Sequence, residues 1–151
     1  MTSYNDDSEF RQTYNALDET NKRVVGAKFV ENVLPLCDDR RVNQAITTAL
    51  VPDASKEELL NAFKGAKAAT IEARTRCGAD CDWNEQAVHF VAKAAMALVA
   101  PEGQCKADDP PWQVVMSSRM ARNCALIAAD DDSENPEKET QYKLLAKHLK
   151  S

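Results

Sequence analysis

Glycine, histidine and aromatic residues are scarce in this chain of 151 residues, which has four glycines, two histidines and 6% aromatic residues. Two histidines leave little room for imidazole chemistry. No glycine-rich phosphate loop, Gly-x-Ser-x-Gly elbow or His-Glu-x-x-His motif is present. The longest apolar run, 94–100, is too short to cross a bilayer. We therefore expect no membrane span, no cofactor and no catalytic centre.

Positive charge is also in short supply, with 19 Lys and Arg against 24 Asp and Glu and a net charge of −5. Such an acidic protein repels nucleic-acid phosphates, so nucleic acid is not an expected partner, whereas a basic protein is permitted. The N-terminus lacks the basic start and apolar run of an export signal, so we expect a cytoplasmic location. Five cysteines without such a signal predict free thiols rather than a disulfide framework.

Alanine, leucine, lysine, glutamate and glutamine are abundant, and these side chains lose little rotamer freedom in a helix. Apolar residues recur every three or four positions in successive segments, and no segment alternates as a strand does. The sequence therefore predicts an all-α protein, a compact bundle or short helical array of about six helices. A flexible N-terminal segment over 1–8 precedes a single helical domain over 9–151.

Polar residues with free side-chain oxygens mark the predicted helix starts, because these oxygens accept hydrogen bonds from unpaired backbone N–H groups. Ser55 and Glu58 have the spacing of a capping box, in which each side chain bonds the backbone of the other. Proline after a cap is a further start signal. The other predicted starts are at Asp18, Asp38 or Asp39, Asp82, Asp109 followed by Pro110, and Asn135 followed by Pro136.

Two predicted helices carry specific expectations about their faces. In the helix that follows Asp82, one stripe is expected to face the core and consists of Trp83, Ala87, Phe90, Ala94 and Leu98. The helix over 112–129 has a side of small residues, which lets two backbones approach closely. One hypothesis is that this side packs against a second copy in a homodimer; its members are Ser117, Ser118, Ala121, Cys124, Ala125 and Ala128.

Cys77 and Cys81, with His89 eight residues further on, form the sharpest metal candidate. Zinc takes four sulfur or imidazole ligands, usually from closely spaced cysteine pairs. Gly78 and Asp82 are typical instead of a helix end and a helix start, and there is no second close pair of cysteines. We expect thiols at a helix corner and no metal. A small helical metal-binding protein or enzyme that uses Cys77, Cys81 and His89 is the alternative.

Trp112 and two arginines on the same predicted helix are candidates for partner binding, because tryptophan and arginine dominate binding hot spots. Trp112 follows two prolines at a helix entry, where packing on the core is the commoner role. Arg119 and Arg122 lie one turn apart and can clamp a carboxylate, although intramolecular salt bridges are the usual role of such residues. We expect Trp112 in the core and the two arginines on a solvated face.

Three segments share a pattern with a known group. The first segment, 29–46, contains Val-Leu-Pro-Leu, an acidic break, two arginines and an Ala-Ile helix. The second segment, 65–74, is rich in alanine, and the third, 139–145, lies near the end of the sequence. Together they resemble the all-helical immunity proteins of bacterial polymorphic-toxin systems. The resemblance implies a small cytoplasmic bacterial protein that binds and neutralises a toxin and is not an enzyme. Of that group's site residues it carries over Arg40 or Arg41.

The hypothesis that follows is a non-catalytic protein-binding module, an immunity-type inhibitor that blocks a toxin by direct binding. An acidic surface would speed its encounter with a basic toxin. A structural oligomerisation domain is a second alternative beside the metal-binding one, so the chain is a monomer or a homodimer. The candidate partner-binding residues are Arg40, Arg41, Trp112, Arg119 and Arg122.

Overall fold

The computed structural model describes residues 4–77, 82–101 and 109–150, and throughout these ranges the regular structure is helical, with no strand. None of the helices found there is long and apolar enough to span a membrane. The predicted all-α array is confirmed, with seven α-helices in the described ranges. They are α1 (Asp7–Asn15), α2 (Glu19–Val33), α3 (Arg40–Ala49), α4 (Lys56–Cys77), α5 (Trp83–Val99), α6 (Pro110–Ala128) and α7 (Glu137–Lys150), with a 3₁₀ turn (Leu34–Leu36) after α2.

Side-chain caps begin the helices at the predicted positions. In α4, the backbone N–H of Ser55 donates to Glu58 Oε1 at 3.0 Å, and the N–H of Glu58 donates to Ser55 Oγ at 3.1 Å. A cap of this kind is worth about 1 kcal/mol. Five further helices begin with an aspartate whose carboxylate accepts a backbone N–H, and these aspartates are Asp6, Asp18, Asp39, Asp82 and Asp109.

α5 is the central helix, and α2, α3, α4 and α6 all pack against it. Its buried residues are alanines and valines, whose small size lets the neighbouring backbones come close. The most extensive of these interfaces is with α6. The small-residue side of α6 is buried within the same chain at Ser117, Ser118, Ala121 and Cys124. Ala125 is half-buried and Ala128 is exposed, so four of the six residues through which the homodimer was expected to pack are covered within the chain.

A second core of aromatic residues joins α1, α2, α6 and α7. Phe10 and Tyr14 of α1 are fully buried in it, and the ring centroid of Phe10 lies 4.8 Å from that of Tyr142. Tyr4 is also buried there, with its ring 5.4 Å from Tyr142. Tyr4 and the start of α1 belong to the segment 1–8 that is predicted to be flexible, and they pack against this core.

Gly26 of α2 marks a close approach between helices. A Cβ atom at this position would lie 2.8 Å from Leu98 Cδ1 and 2.9 Å from the hydroxyl of Tyr14. Both distances are below van der Waals contact, so a side chain here would have to displace the side chains of Leu98 and Tyr14.

Trp83 is the one clear error in the predicted core stripe of α5. Ala87 and Ala94 are buried and Phe90 and Leu98 are partly buried, whereas Trp83 is 44% exposed. Trp83 is the first residue of the helix. Helical periodicity identifies the correct side of a helix but does not show where along its length the core ends.

Candidate protein-binding face

Arg119 forms an internal ion pair. Its Nη1 and Nη2 atoms donate to the two carboxylate oxygens of Asp7 at 2.8 and 2.9 Å, and its Nε donates to Gln141 at 2.7 Å. The hydrogen bond from Arg119 is the main cause that holds the pKa of Asp7 at about 2, with a further hydrogen bond from Tyr142. This side chain is only 12% exposed and ties α1 to α6 and α7.

Arg122 is engaged in the same way one turn further along α6. Its Nε donates to Glu137 at 3.1 Å, and its Nη2 donates to the backbone oxygen of Asn32 at 3.1 Å. Asn32 also donates to Glu137 at 2.8 Å, and Glu137 is 1% exposed. The expectation that Arg119 and Arg122 occupy a solvated face is wrong, because partners distant in sequence take up their donors.

Trp112 packs on the aromatic core, as expected. Its ring centroid lies 6.3 Å from that of Phe10, and the guanidinium of Arg11 stacks 4.7 Å from the indole centroid. Arg11 in turn pairs with Asp109, the cap of α6. A shallow cleft opens beside Trp112, and the charges on its wall are matched by Arg11–Asp109 and by the pair that holds Asp7.

Arg40 and Arg41 differ in their surroundings. Arg41 donates to Asp39 at 2.8 Å and to Glu72 of α4 at 2.6 Å, so it fastens α3 to α4. Arg40 is exposed and forms no salt bridge with any residue in the described ranges. Arg41 also lines a polar groove of about 270 Å³ between α3 and α4, with Asn61 and Gly65 on the α4 side.

Of the metal candidate, only Cys77 and His89 lie within the described residues, and Cys77 is disulfide-bonded. Cys81 and the partner of Cys77 lie outside them. The expectation of free thiols is confirmed at Cys37 and Cys124 and is wrong at Cys77. The number of cysteines and the lack of an export signal indicate the cellular compartment of a protein. They do not show whether the sulfur atoms of two cysteines lie next to each other in the fold. A disulfide sulfur offers no thiolate to a metal.

His89, the third residue of that candidate, is half-buried on α5. Its Nε2 atom is buried and has no hydrogen-bond partner among the residues that the structure describes. Burial, together with the positive charges of Lys93 and Arg74, lowers the pKa of His89. Among the described residues, no group of three or more His, Cys, Asp or Glu side chains is placed to hold a metal ion.

The outer side of α4 carries a stripe of exposed side chains that sequence reasoning missed. At 3.6 residues per turn its six members lie within an arc of about 80°; the buried Ala66 and Ala73 lie well outside this arc, and the buried Phe63 lies beside its edge. All six are exposed. We call this stripe the α4 face, and its members are Lys56, Leu60, Lys64, Lys67, Ile71 and Arg74.

One of the four cations of the α4 face contacts a ring, since the Nζ atom of Lys67 lies 6.0 Å from the ring centroid of Phe63. None of Lys56, Lys64, Lys67 and Arg74 has a salt-bridge partner in the parts of the chain that the structure describes. No acidic residue lies within the arc; Glu72 is turned towards Arg41, and Glu58 bonds Ser55. The positive charge continues onto α5, since Arg74 and Lys93 both act on His89.

Two aliphatic side chains lie within this charged stripe. Leu60 is 37% exposed and Ile71 is 52% exposed. A large aliphatic side chain on the outer side of this 22-residue helix stays in contact with water, so it contributes no free energy of hydrophobic burial to folding. The α4 face therefore combines two exposed aliphatic side chains with four cations that form no salt bridge in the described parts of the chain.

The signal for the α4 face is present in the sequence. Leu60, Lys64, Lys67 and Ile71 recur at steps of four, three and four, which is the spacing of a single helical stripe. This stripe is the complement of the core stripe, and reading only the core stripe passes over it.

The described residues form an all-helical array whose α4 carries a basic stripe with two exposed aliphatic side chains. Comparison with protein-family models, with curated proteins and with solved structures returns no match. The resemblance to immunity proteins therefore stays a prediction.

Proposed function

We propose that this chain is a non-catalytic protein-binding module that acts as an immunity-type inhibitor, binding a toxin in the cytoplasm and blocking it. The observation that supports this proposal is the α4 face, where exposed aliphatics share one side of a long helix with cations that form no salt bridge in the described parts of the chain. Elsewhere the arginines singled out on α6 are tied into internal pairs that hold the fold together.

The chemistry of this face favours a partner whose contacting surface is acidic. The expectation of a basic toxin rests on the net charge of −5, which describes the whole chain and not any one surface. At contact distances the local charges dominate, because salt screens interactions beyond about 8 Å at physiological ionic strength. We therefore propose that an acidic patch of the toxin, and not a basic one, meets the α4 face.

The size of the face indicates that neighbouring helices also take part. Eighteen residues separate Lys56 from Arg74, which is about 27 Å of helix. A strip of that length and about 10 Å width covers roughly 270 Å², well below the ~800 Å² per partner of stable complexes. The partner must therefore also reach neighbouring helices. Arg41, one of the two arginines that the resemblance carries over, lines the groove between α3 and α4 with Asn61 and Gly65, which are not part of the α4 face.

The test is protection of cells from the toxin encoded beside this chain. Cells that express the neighbouring gene should survive with the wild-type chain and die with the double variant Lys64→Glu/Lys67→Glu. The matched control is Lys143→Glu/Lys147→Glu on α7, where two exposed lysines also lie on one side of a helix. Both double variants change the net charge by the same amount. The control should still protect the cells, because its two lysines lie on α7 and not on the α4 face.

Two outcomes would contradict the proposal. If the wild-type chain neither protects the cells nor captures the neighbouring product, the inhibitor function is wrong. If both double variants lose protection equally, the effect follows from net charge, and the α4 face is not the binding surface.

A further inference from the structure

We infer that the element of the partner that lies on the α4 face is an acidic amphipathic helix with two apolar side chains eleven residues apart. This inference rests on the proposed function. Its basis is the placement of Leu60 and Ile71, which are separated by eleven residues, or about 16 Å of helix, and differ by only about 20° around the axis. Two apolar contacts about three turns apart on one line match the stripe of a second helix.

The cations specify what surrounds those two contacts. Lys64 and Lys67 lie between the aliphatics, and Lys56 and Arg74 lie one turn beyond them at either end. The order along the face is cation, aliphatic, cation, cation, aliphatic, cation. A complementary helix has carboxylates at the outer and central positions and apolar residues between them. The order reads the same in both directions, so such a helix fits parallel or antiparallel to α4.

An extended segment fits this face poorly. A strand rises about 3.3 Å per residue, so a 16 Å separation corresponds to five residues, and residues five apart point to opposite sides of a strand. An extended chain would also need hydrogen-bond partners for its backbone. The backbone of α4 offers none, because its groups are already paired within the helix. A helix satisfies its own backbone and brings only side chains to the interface.

A membrane or a nucleic acid fits less well than a protein helix. Leu60 and Ile71 are separated by two lysines, so the face lacks the continuous apolar side with which interfacial helices enter lipid. The face also has no aromatic side chain on which a base would stack. The net charge of −5 opposes the approach of either polyanion.

The experiment is a fluorescence anisotropy titration of the full chain with labelled helical peptides at low salt. The matched peptide is as long as the α4 face and carries leucine and isoleucine eleven residues apart, with glutamates at the four positions that meet the cations. In the register control these two residues are nine apart, which places them about 180° apart. A third peptide replaces glutamate by lysine.

We expect the matched peptide to bind at least about tenfold more tightly than either control peptide. Lys64→Glu/Lys67→Glu should lose at least about tenfold in affinity for it, and Leu60→Ser/Ile71→Ser should abolish the difference between the matched and register peptides. Lys143→Glu/Lys147→Glu should bind like the wild type. All these positions are exposed, and circular dichroism confirms that the variants remain folded.

Equal binding of the matched and register peptides would overturn the inference, because charge alone would then explain the affinity. So would equal or tighter binding of phosphatidylserine vesicles or duplex DNA at the same salt. The two proposals fail separately. If the chain protects cells but does not discriminate between the peptides, this inference is wrong and the inhibitor function is still supported. If the chain discriminates between the peptides but does not protect cells, the inhibitor function is wrong and this inference is still supported.

Discussion

Replacement of Glu137 by alanine should destabilise the protein far more than its position at the start of a surface helix implies. Glu137 begins α7, and its carboxylate accepts hydrogen bonds from Arg122 at 3.1 Å and from Asn32 at 2.8 Å. The side chain is 1% exposed. The alanine variant therefore leaves a guanidinium and an amide without their partner at the junction of α2, α6 and α7.

The magnitude follows from how far water reaches the remaining charge. Removing one partner of a buried ion pair costs about 3–5 kcal/mol. The side chain of Arg122 is 26% exposed, so solvent screens part of its charge and the lower end applies. We expect a loss of about 3 kcal/mol, which for a domain of this size lowers Tm by roughly 6–12 °C. The total free energy of unfolding of a typical domain is only about 5–15 kcal/mol.

The matched control is Glu139→Ala, two residues further along the same helix, because Glu139 is exposed and also lies in the acidic first turn. It should cost no more than about 1 kcal/mol, the value of a carboxylate near a helix N-terminus. Urea unfolding followed by circular dichroism measures both variants. If the two losses agree within 1 kcal/mol, the ion pair contributes no more than a surface charge, and the reasoning from burial is refuted.

Two further predictions concern α1 and the helical glycines. Arg119 holds the pKa of Asp7 at about 2 in the folded protein, against about 3.9 in the unfolded chain. The ion pair therefore stabilises the protein fully above about pH 4, and this stabilisation is lost as the pH falls through 2. Asp7→Asn should lower the urea midpoint clearly at pH 7 and little at pH 2, and an equal loss at both pH values would contradict this. Gly65→Ala should stabilise the protein by about 0.4–1 kcal/mol, since the new Cβ meets ordinary contacts at 3.5 Å. Gly26→Ala should destabilise it by roughly 1 kcal/mol, because the new Cβ overpacks against Tyr14. If thermal unfolding ranks the two variants the other way, the described packing around these glycines is contradicted.

Local features were predictable because local chemistry decides them. The cap at Asp18 bonds a backbone N–H only three residues away, and the capping box of Ser55 and Glu58 also closes within four residues. Phe10 and Tyr14 lie four positions apart in α1, which is helical spacing, and both are buried in the core. Interactions of this range can be read from the order of residues without knowing how the helices are arranged.

Long-range pairs were not predictable for the opposite reason. Arg119 bonds Asp7, which lies 112 residues earlier, and periodicity contains no information about which helices meet. The same gap explains why Arg122 was expected on a solvated face although Asn32 and Glu137 surround it. A charged residue on the polar side of a helix can face water or a neighbouring helix, and only the packing decides.

The measurement that tests the central claim most directly is lysine labelling of the free protein and of its complex with the captured toxin. Acetylation quantified by mass spectrometry should fall strongly at Lys56, Lys64 and Lys67 when the toxin binds. Lys143 and Lys147 on α7 should react as before. Protection confined to the α7 lysines, with undiminished labelling along α4, would contradict the account.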